Sequence, residues 1–359
     1  MDKLAFVLPS LEHGGAQKVF VELVSYLCEQ GRDVTLVVLD KQGELIGQIP
    51  ETAKVHFVNE GVTSHRNIIF WLRAGLKFRR WVCKNDVCSV YSTITGMNLL
   101  VLALFLFDRK QNVIVREASS LENVNSFWVK LGIRLLYPRA DYIICTSSYL
   151  VSQLRDLCGS MRMKVIPNPI NIARILKLSA FNSDKAPSVD PIRTIVGVGR
   201  LVKAKGFDIL IEAFSLLSPN DNWRLLIVGD GPERHELQSQ IESLSLCGRV
   251  QLLGYQQNPY PIMLNADIYV LSSRWEGYVN TVIEAMTLSK RIVATDCNSE
   301  PGNYLRDELD QVLVPVDDAQ ALATAIEAAI LLEVPDYSAL LSRHGMAVTS
   351  EQYLECVSA

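Results

Sequence analysis

No Asp-x-Asp triplet occurs in this sequence, so a carboxylate pair holding a divalent ion against a phosphate has no obvious candidate. No Cys-x-x-Cys occurs either. The eight cysteines lie mostly inside apolar segments and read as core thiols of a reducing compartment. Five scattered histidines make no credible zinc site. The longest apolar run, Leu99 to Phe107, is far short of the roughly 20 residues that span a bilayer, and reads as a buried helix. The apolar run at Leu4–Leu8 is only strand-length, so no signal peptide is read. Long charge blocks, low-complexity tracts and repeats of 20–50 residues are missing too, which argues against tails and solenoids. A net charge of −4 argues against a general nucleic-acid binder.

What the 359 residues do contain is a rhythm. Short apolar runs at 3–11, 33–40, 54–59, 87–94, 112–118, 142–147 and 164–171 read as strands, with an amphipathic helix at 16–31 closed by Gly31. Unbroken apolar runs, rather than alternating ones, suit a parallel sheet covered on both faces. Residues 180–191 are poor in apolar side chains and hold two prolines, as an interdomain linker would. The rhythm then restarts, with strands expected at 193–200, 223–231, 250–255, 267–273, 291–296 and 311–316 and helices between several of them. The expectation is an α/β chain of two doubly wound, Rossmann-like domains, 1–180 and 181–336, with a helix near 337–359 packing back on the first. Ligands of such folds bind beyond the carboxyl ends of strands, here in a cleft between the domains.

The unusual polar residues fall mostly just after strands. Gly14 and Gly15 sit between the first strand and its helix, where backbone can approach an anion or simply turn; the Rossmann G-x-G-x-x-G is not met. Arg200 and Lys205 follow the first strand of the second half, and two such cations suit a phosphate between them. Gly229 in VGDGPE and Tyr255 in LLGYQQ occupy the next two rims and fit a base pocket or plain turn chemistry. In SRWEGYVNTVIEAM, Glu276 lies in a loop with Gly277 and Tyr278. Glu284 lies in the first turns of a helix expected to be capped by Asn280. A carboxylate there is suited to sugar hydroxyls flanking a phosphate, although Glu284 alone could complement the helix dipole.

SRWEGYVNTVIEAM resembles the E-x7-E signature of retaining glycosyltransferases of family 4, which have the GT-B two-domain fold. The segments GGAQKVFVELVSYLCEQGRDVTLVV, VIPNPIN, GVGRLVKAKGFDILIEAF and RIVATDCNSEPGNYL resemble further family segments, in family order. The resemblance implies a hexosyltransferase that moves a hexose or N-acetylhexosamine from a nucleotide sugar with retention. UDP is the commoner nucleotide in that family. By position, Glu284 would bind the ribose and Glu276 the donor hexose. Arg200 and Lys205 would hold the leaving diphosphate, helped by the amides of Gly277 and Tyr278. Gly15 would approach phosphate and acceptor from the first domain. Arg116 and Glu117 stand where the family often has His, as a candidate acceptor or sugar site. Two departures stand out: Glu300 and Asn303 replace a glycine and a glutamate of the late loop, and Val279 replaces a proline.

The resemblance implies a front-face mechanism without cofactor or metal, two cations and a helix terminus neutralising the diphosphate. The implied acceptor is a glycan or polyprenyl-diphosphate-linked sugar of envelope polysaccharide, such as lipopolysaccharide or O-antigen. Residues 64–84 mix basic and aromatic side chains. They read either as an interfacial helix on anionic lipid or as a packed helix with a solvated basic face. The expected location is cytoplasmic, with peripheral association at the inner membrane under the first reading. Two other functions share the architecture: a sugar-nucleotide 2-epimerase, and a catalytically silent nucleotide-sugar-binding partner of another transferase.

Overall fold

The computed structural model describes residues 2–358 apart from 13, 61–66, 109, 119–120, 122–123, 125, 181–191, 219–221, 298–299 and 308–312. The chain forms two compact units, Met1–Pro169 with Met346–Ala359, and Ile170–Gly345.

The first unit runs β1 (Leu4–Leu8), α1 (Gly15–Glu29), β2 (Val34–Val38), β3 (Val55–Phe57), α2 (Ile68–Lys84), β4 (Ser89–Thr93), α3 (Thr95–Leu104), β5 (Asn112–Glu117), α4 (Phe127–Leu136), β6 (Tyr142–Cys145), α5 (Ser148–Cys158) and β7 (Met163–Val165). Its seven strands are all parallel, in the order β3-β2-β1-β4-β5-β6-β7. Both faces of this sheet are buried, which is why its strands read as continuous apolar runs. Ala5 and Val7 of β1 pack with α2, α3, α4 and α5. Leu4, Phe6 and Leu8 pack on the other face with α1 and with Tyr353 and Cys356 of the returning C-terminal segment. Helix α1 ends as its sequence suggests. Gly31 has φ +74°, its N–H donates to Cys28 O and that of Arg32 to Leu27 O, the paired bonds of a Schellman motif.

The second unit runs α6 (Ile172–Ser179), β8 (Arg193–Val198), α7 (Phe207–Leu216), β9 (Trp223–Val228), α8 (Arg234–Ser243), β10 (Val250–Gly254), α9 (Tyr260–Asn265), β11 (Ile268–Leu271), α10 (Asn280–Thr287), β12 (Arg291–Ala294), α11 (Glu300–Asp307), α12 (Ala319–Ala329) and α13 (Ser338–His344). The last helix, α14 (Met346–Ser358), belongs to the first unit. The five parallel strands are ordered β10-β9-β8-β11-β12. Ile195 and Ile227 point to a core with α7, α8 and α12, whereas Val196 and Tyr269 point to one with α6, α9 and α10.

Several expectations need correction. Ile175 of α6 and Leu340 of α13 are buried in the second unit's core, so both helices belong there. The chain therefore changes unit at Pro169 and returns at Met346 rather than at 180 and 337. The linker expected at 180–191 lies, beyond Ala180, outside the described residues. The run at Leu99–Phe107 is helical only to Leu104, and Phe107 is 91% exposed, so it is not wholly buried. Of the strand expected at 311–316, residues 311–312 lie outside the described residues, and in the remainder Val314 makes a single bridge to Thr295. Asn280 is the first helical residue of α10, not its cap, which is Val279.

Candidate functional site

In the second unit the strand order reverses between β8 and β11. Loops leaving the carboxyl ends of those strands therefore diverge to opposite sides and open a crevice, the usual ligand position of a doubly wound sheet. Residues 199–206 leave β8 and residues 272–279 leave β11, so Arg200, Lys205, Glu276, Gly277 and Tyr278 all sit at this point.

Lys205 and Glu276 meet there, with Nζ 2.5 Å from Oε1 and side chains 21% and 12% exposed. The Ser273 hydroxyl donates to the same carboxylate oxygen at 2.7 Å. Glu276 thus has a partner in its own chain, 71 residues away in sequence. The pairing also changes the account of the two cations. The anion beside Lys205 is the Glu276 carboxylate, while Arg200 is exposed and has no ion-pair partner among the described residues. An incoming phosphate would find a free guanidinium at Arg200 and an ammonium already balanced at Lys205.

Backbone contacts fix the spacing of the two loops. Gly206 adopts φ +59°, and a Cβ there would lie 2.1 Å from Ser272 O, so only glycine fits. Ser272 Oγ donates to Lys205 O at 2.9 Å, and the Arg274 amide to Ala204 O at 2.8 Å. Arg274 then reaches across: its guanidinium is forked onto Asp208 at 2.9 and 2.7 Å, contacts Asp317 at 2.6 Å and donates to Lys203 O at 2.8 Å. Partial burial tends to raise the Asp208 carboxyl, but the Arg274 hydrogen bonds and charge outweigh it and hold it below the usual carboxylate range. Arg274 is raised in turn, chiefly by the Asp208 hydrogen bond.

Glu284 stands on α10 and is 5% exposed; the Tyr260 phenol of α9 donates to its Oε1 at 3.2 Å. Gly229 follows β9 with φ +144°, and a Cβ there would come 1.8 Å from Gly199 O. Its amide donates to Gly254 O, immediately before the half-exposed Tyr255. The carboxyl ends of β10, β9, β8 and β11 thus present Tyr255, Gly229, Arg200, Lys205 and Glu276 along one rim.

In the first unit the reversal lies between β1 and β4. Gly14 precedes α1 in extended conformation and Gly15 opens the helix, whose first turn carries no acid and no side-chain cap. The amide donors of that turn therefore remain available at the β1 rim. Arg116 and Glu117 do not behave as a sugar site. Arg116 is 1% exposed and donates to Thr93 Oγ1 at 3.0 Å and to Asn168 Oδ1. Glu117 is fully buried, accepting from the Tyr137 phenol at 2.6 Å and from Thr95 Oγ1. Burial, then the Glu117 charge, push the neighbouring Cys145 thiol up to about 12. Both side chains are held inside the unit by these bonds, with Arg116 Nε buried without a hydrogen-bond partner, so neither is presented to an acceptor as the side chains stand.

Sequence reasoning missed Ser273, Tyr260 and the Arg274 clamp. Arg274 stands inside the quoted signature, but its partners are 43 and 66 residues away and only the sheet order brings them near. Among the described residues no group of three or more His, Cys, Asp or Glu could hold a metal ion, and no helix is long and apolar enough to cross a membrane.

Comparison with known proteins finds relatives along nearly the whole chain. The profile of Glycosyltransferase Family 4 matches residues 13–174, and that of Glycosyl transferases group 1 matches residues 180–343. The chain is 28% identical to the N-acetylgalactosamine-N,N'-diacetylbacillosaminyl-diphospho-undecaprenol 4-alpha-N-acetylgalactosaminyltransferase of Campylobacter jejuni, covering 91% of each. It is 27% identical to the lipopolysaccharide core biosynthesis glycosyltransferase LpsE of Rhizobium meliloti, over 88% of this chain and 85% of that one. Anabaena HepE, crystallised with UDP and glucose, superposes over both whole chains with a TM-score of 0.81 at 20% identity.

Proposed function

The chain belongs to the family 4 glycosyltransferases and has the GT-B fold of two Rossmann-like domains, and from that premise we propose the reaction it performs. It is a glycosyltransferase of lipopolysaccharide or polysaccharide biosynthesis. In our reading it moves a hexose or N-acetylhexosamine from a UDP-sugar, with retention, to a glycan or a polyprenyl-diphosphate-linked sugar. The name of the Campylobacter relative supports this acceptor class, and the UDP bound by HepE supports the donor class.

The observation that carries the reading is the Lys205–Glu276 pair beside an unpaired Arg200 at the switch point of the second sheet. As the glycosidic bond to the diphosphate breaks, negative charge grows on the leaving oxygens and positive charge on the sugar ring. Arg200 is positioned to receive the diphosphate. Lys205 can turn toward that charge, since it already sits among the loop groups at the β8 rim. Its displacement frees Glu276 to accept hydrogen bonds from sugar hydroxyls. Both contacts strengthen as charge develops, so they favour the transition state over the bound donor, and that difference accelerates transfer. Glu284, steadied by Tyr260, would take the ribose hydroxyls; Gly229 and Tyr255 would border the base; Gly277 and Tyr278 would meet phosphate. In this reading the two cations and the backbone amides neutralise the diphosphate without a metal, and residues 64–84 bring the enzyme to an anionic membrane surface.

The test is a thermal-shift screen of UDP-, GDP- and ADP-sugars, followed by transfer to a polyprenyl-diphosphate-linked sugar with the product anomer read by NMR. Stabilisation by one UDP-sugar and an anomer matching the donor's are expected. Full transfer by a Glu276→Ala variant would remove that residue from the mechanism.

A further inference from the structure

Strand β11 and helix α10 flank the loop that carries Glu276, and a hydroxyl from each meets the other. Tyr269 OH of β11 lies 2.6 Å from Thr281 Oγ1 of α10. Tyr269 is fully buried in the core that includes Val279, Val282 and Ile283, whereas Thr281 is partly exposed. For each hydroxyl the other is the only hydrogen-bond partner among the described residues.

Two hydroxyls bring two protons, and their one bond uses one of them. Burial decides which. Were Thr281 to donate, the phenol proton would be left in the core with no acceptor, a costly state for a buried polar group. The phenol therefore donates to Thr281 Oγ1, and the Thr281 proton is the one left over. The phenol keeps its own proton: burial raises it, and the Glu276 and Glu284 charges add to that rise against the Thr281 bond.

Thr281 stands in the first turn of α10, three residues before Glu284. Residues three apart share a helix face, with a rise of about 4.5 Å between them. That first turn carries no acid to oppose an anion. With ribose hydroxyls on Glu284 and the outer phosphate at Gly277, Tyr278 and Arg200, the inner phosphate falls between them, at Thr281. Phosphate oxygens are acceptors, which suits a hydroxyl with one proton still to donate.

We propose that Thr281 is a further donor-binding residue, giving its hydroxyl proton to the α-phosphate of the nucleotide, and that Tyr269 is a positioning residue that turns this proton outward. The inference rests on the reading that Glu284 holds the donor ribose. Without the phenol, the Thr281 hydroxyl is free to turn back to a carbonyl three or four residues earlier.

The experiment is calorimetric titration of the full chain with UDP, UMP and uridine, uridine being measured by its displacement of UDP. Thr281→Val should raise the Kd of UDP and of UMP alike by about tenfold, the worth of a hydrogen bond to a charged group, and leave uridine unchanged. Thr281→Ser should restore both. Tyr269→Phe should weaken UDP and UMP in the same sense. Because Thr281→Val leaves the buried phenol unpaired, the double variant with Tyr269→Phe carries the same test without that defect, and should bind no worse than Thr281→Val alone. Wild-type UMP binding by both Thr281→Val and the double variant would overturn the assignment. So would a loss for UDP alone, which would place the contact on the outer phosphate, or an equal loss for uridine, which would mean a disturbed pocket. Additive losses from the two single variants would remove the positioning role. Glu284→Gln should weaken uridine as well as both nucleotides. If it weakens none of the three, or if the wild type binds no UDP, the ribose reading fails and takes this inference with it. A failure confined to the Thr281 variants leaves the transferase reading standing.

Discussion

At the scale of single residues, the site turns on a carboxylate whose partner is distant in sequence. Lys205 and Glu276 are both more than three-quarters out of solvent, and they balance each other. Removing one should cost more than removing both, because a lone buried charge bears its desolvation without compensation. Lys205→Ala should therefore destabilise the protein by about 1–3 kcal/mol. Lys205→Met combined with Glu276→Gln should recover most of that loss in chemical denaturation. Transfer should behave oppositely. Both variants should lose on the order of 10²–10³ in kcat, since neither presents the charge that meets the leaving group. A Lys205→Ala enzyme of wild-type rate would end this account. The glutamates were legible in the sequence because carboxylates in apolar surroundings need a reason. Their partners were not, since nothing local points from Glu276 to Lys205 or from Glu284 to Tyr260.

At the scale of elements, the rim is held by a strut between two loops. Arg274 links the loop after β11 to the start of α7 through Asp208. Because Asp208 titrates below the ordinary carboxylate range, its contribution is present in full above the unfolded value of about 3.9. It is lost as pH falls through the lower folded value. Asp208→Asn should thus lower Tm at pH 7, by the equivalent of about 0.5–1 kcal/mol for a half-exposed forked pair. The gap between variant and wild type should close as pH falls below the ordinary carboxylate range, through the lowered folded value. A gap that stayed constant across that range would mean the carboxylate charge is not what the strut uses. Elements themselves were legible where one feature dominated. Gly31 stops α1 by supplying a positive φ, and the strands announce themselves as apolar runs. Helices α4, α5 and α6 went unread. In α4, Phe127, Trp128 and Leu135 are apolar but exposed, so hydrophobic spacing does not mark a buried face. Arg116 and Glu117 are the converse case. They stand where the resembled family often has His, and only the fold reveals Thr93, Asn168 and Tyr137 around them.

At the scale of the whole molecule, the chain ends in the unit where it began. Helix α14 buries Tyr353 completely against Phe6, Phe20 and Tyr91, and the Tyr91 phenol donates to Tyr353 O at 2.7 Å. The sequence suggested a returning helix but placed its start too early. Tyr337 precedes α13 and Leu340 lies within it, and both are apolar, yet they pack with α6 and α10 in the second unit. This division makes stability and donor recognition separable. Nearly all proposed donor groups, Arg200, Lys205, Glu276 and Glu284 among them, lie between Ile170 and Gly345. Tyr353→Ala opens a cavity in the other core and should cost about 3–5 kcal/mol there. Calorimetry should therefore show one transition displaced to lower temperature, while UDP still raises the transition of the second unit. Were both transitions to fall equally, with the UDP response lost, the two cores would form one cooperative block, and α14 would act on the donor site as well as on its own sheet.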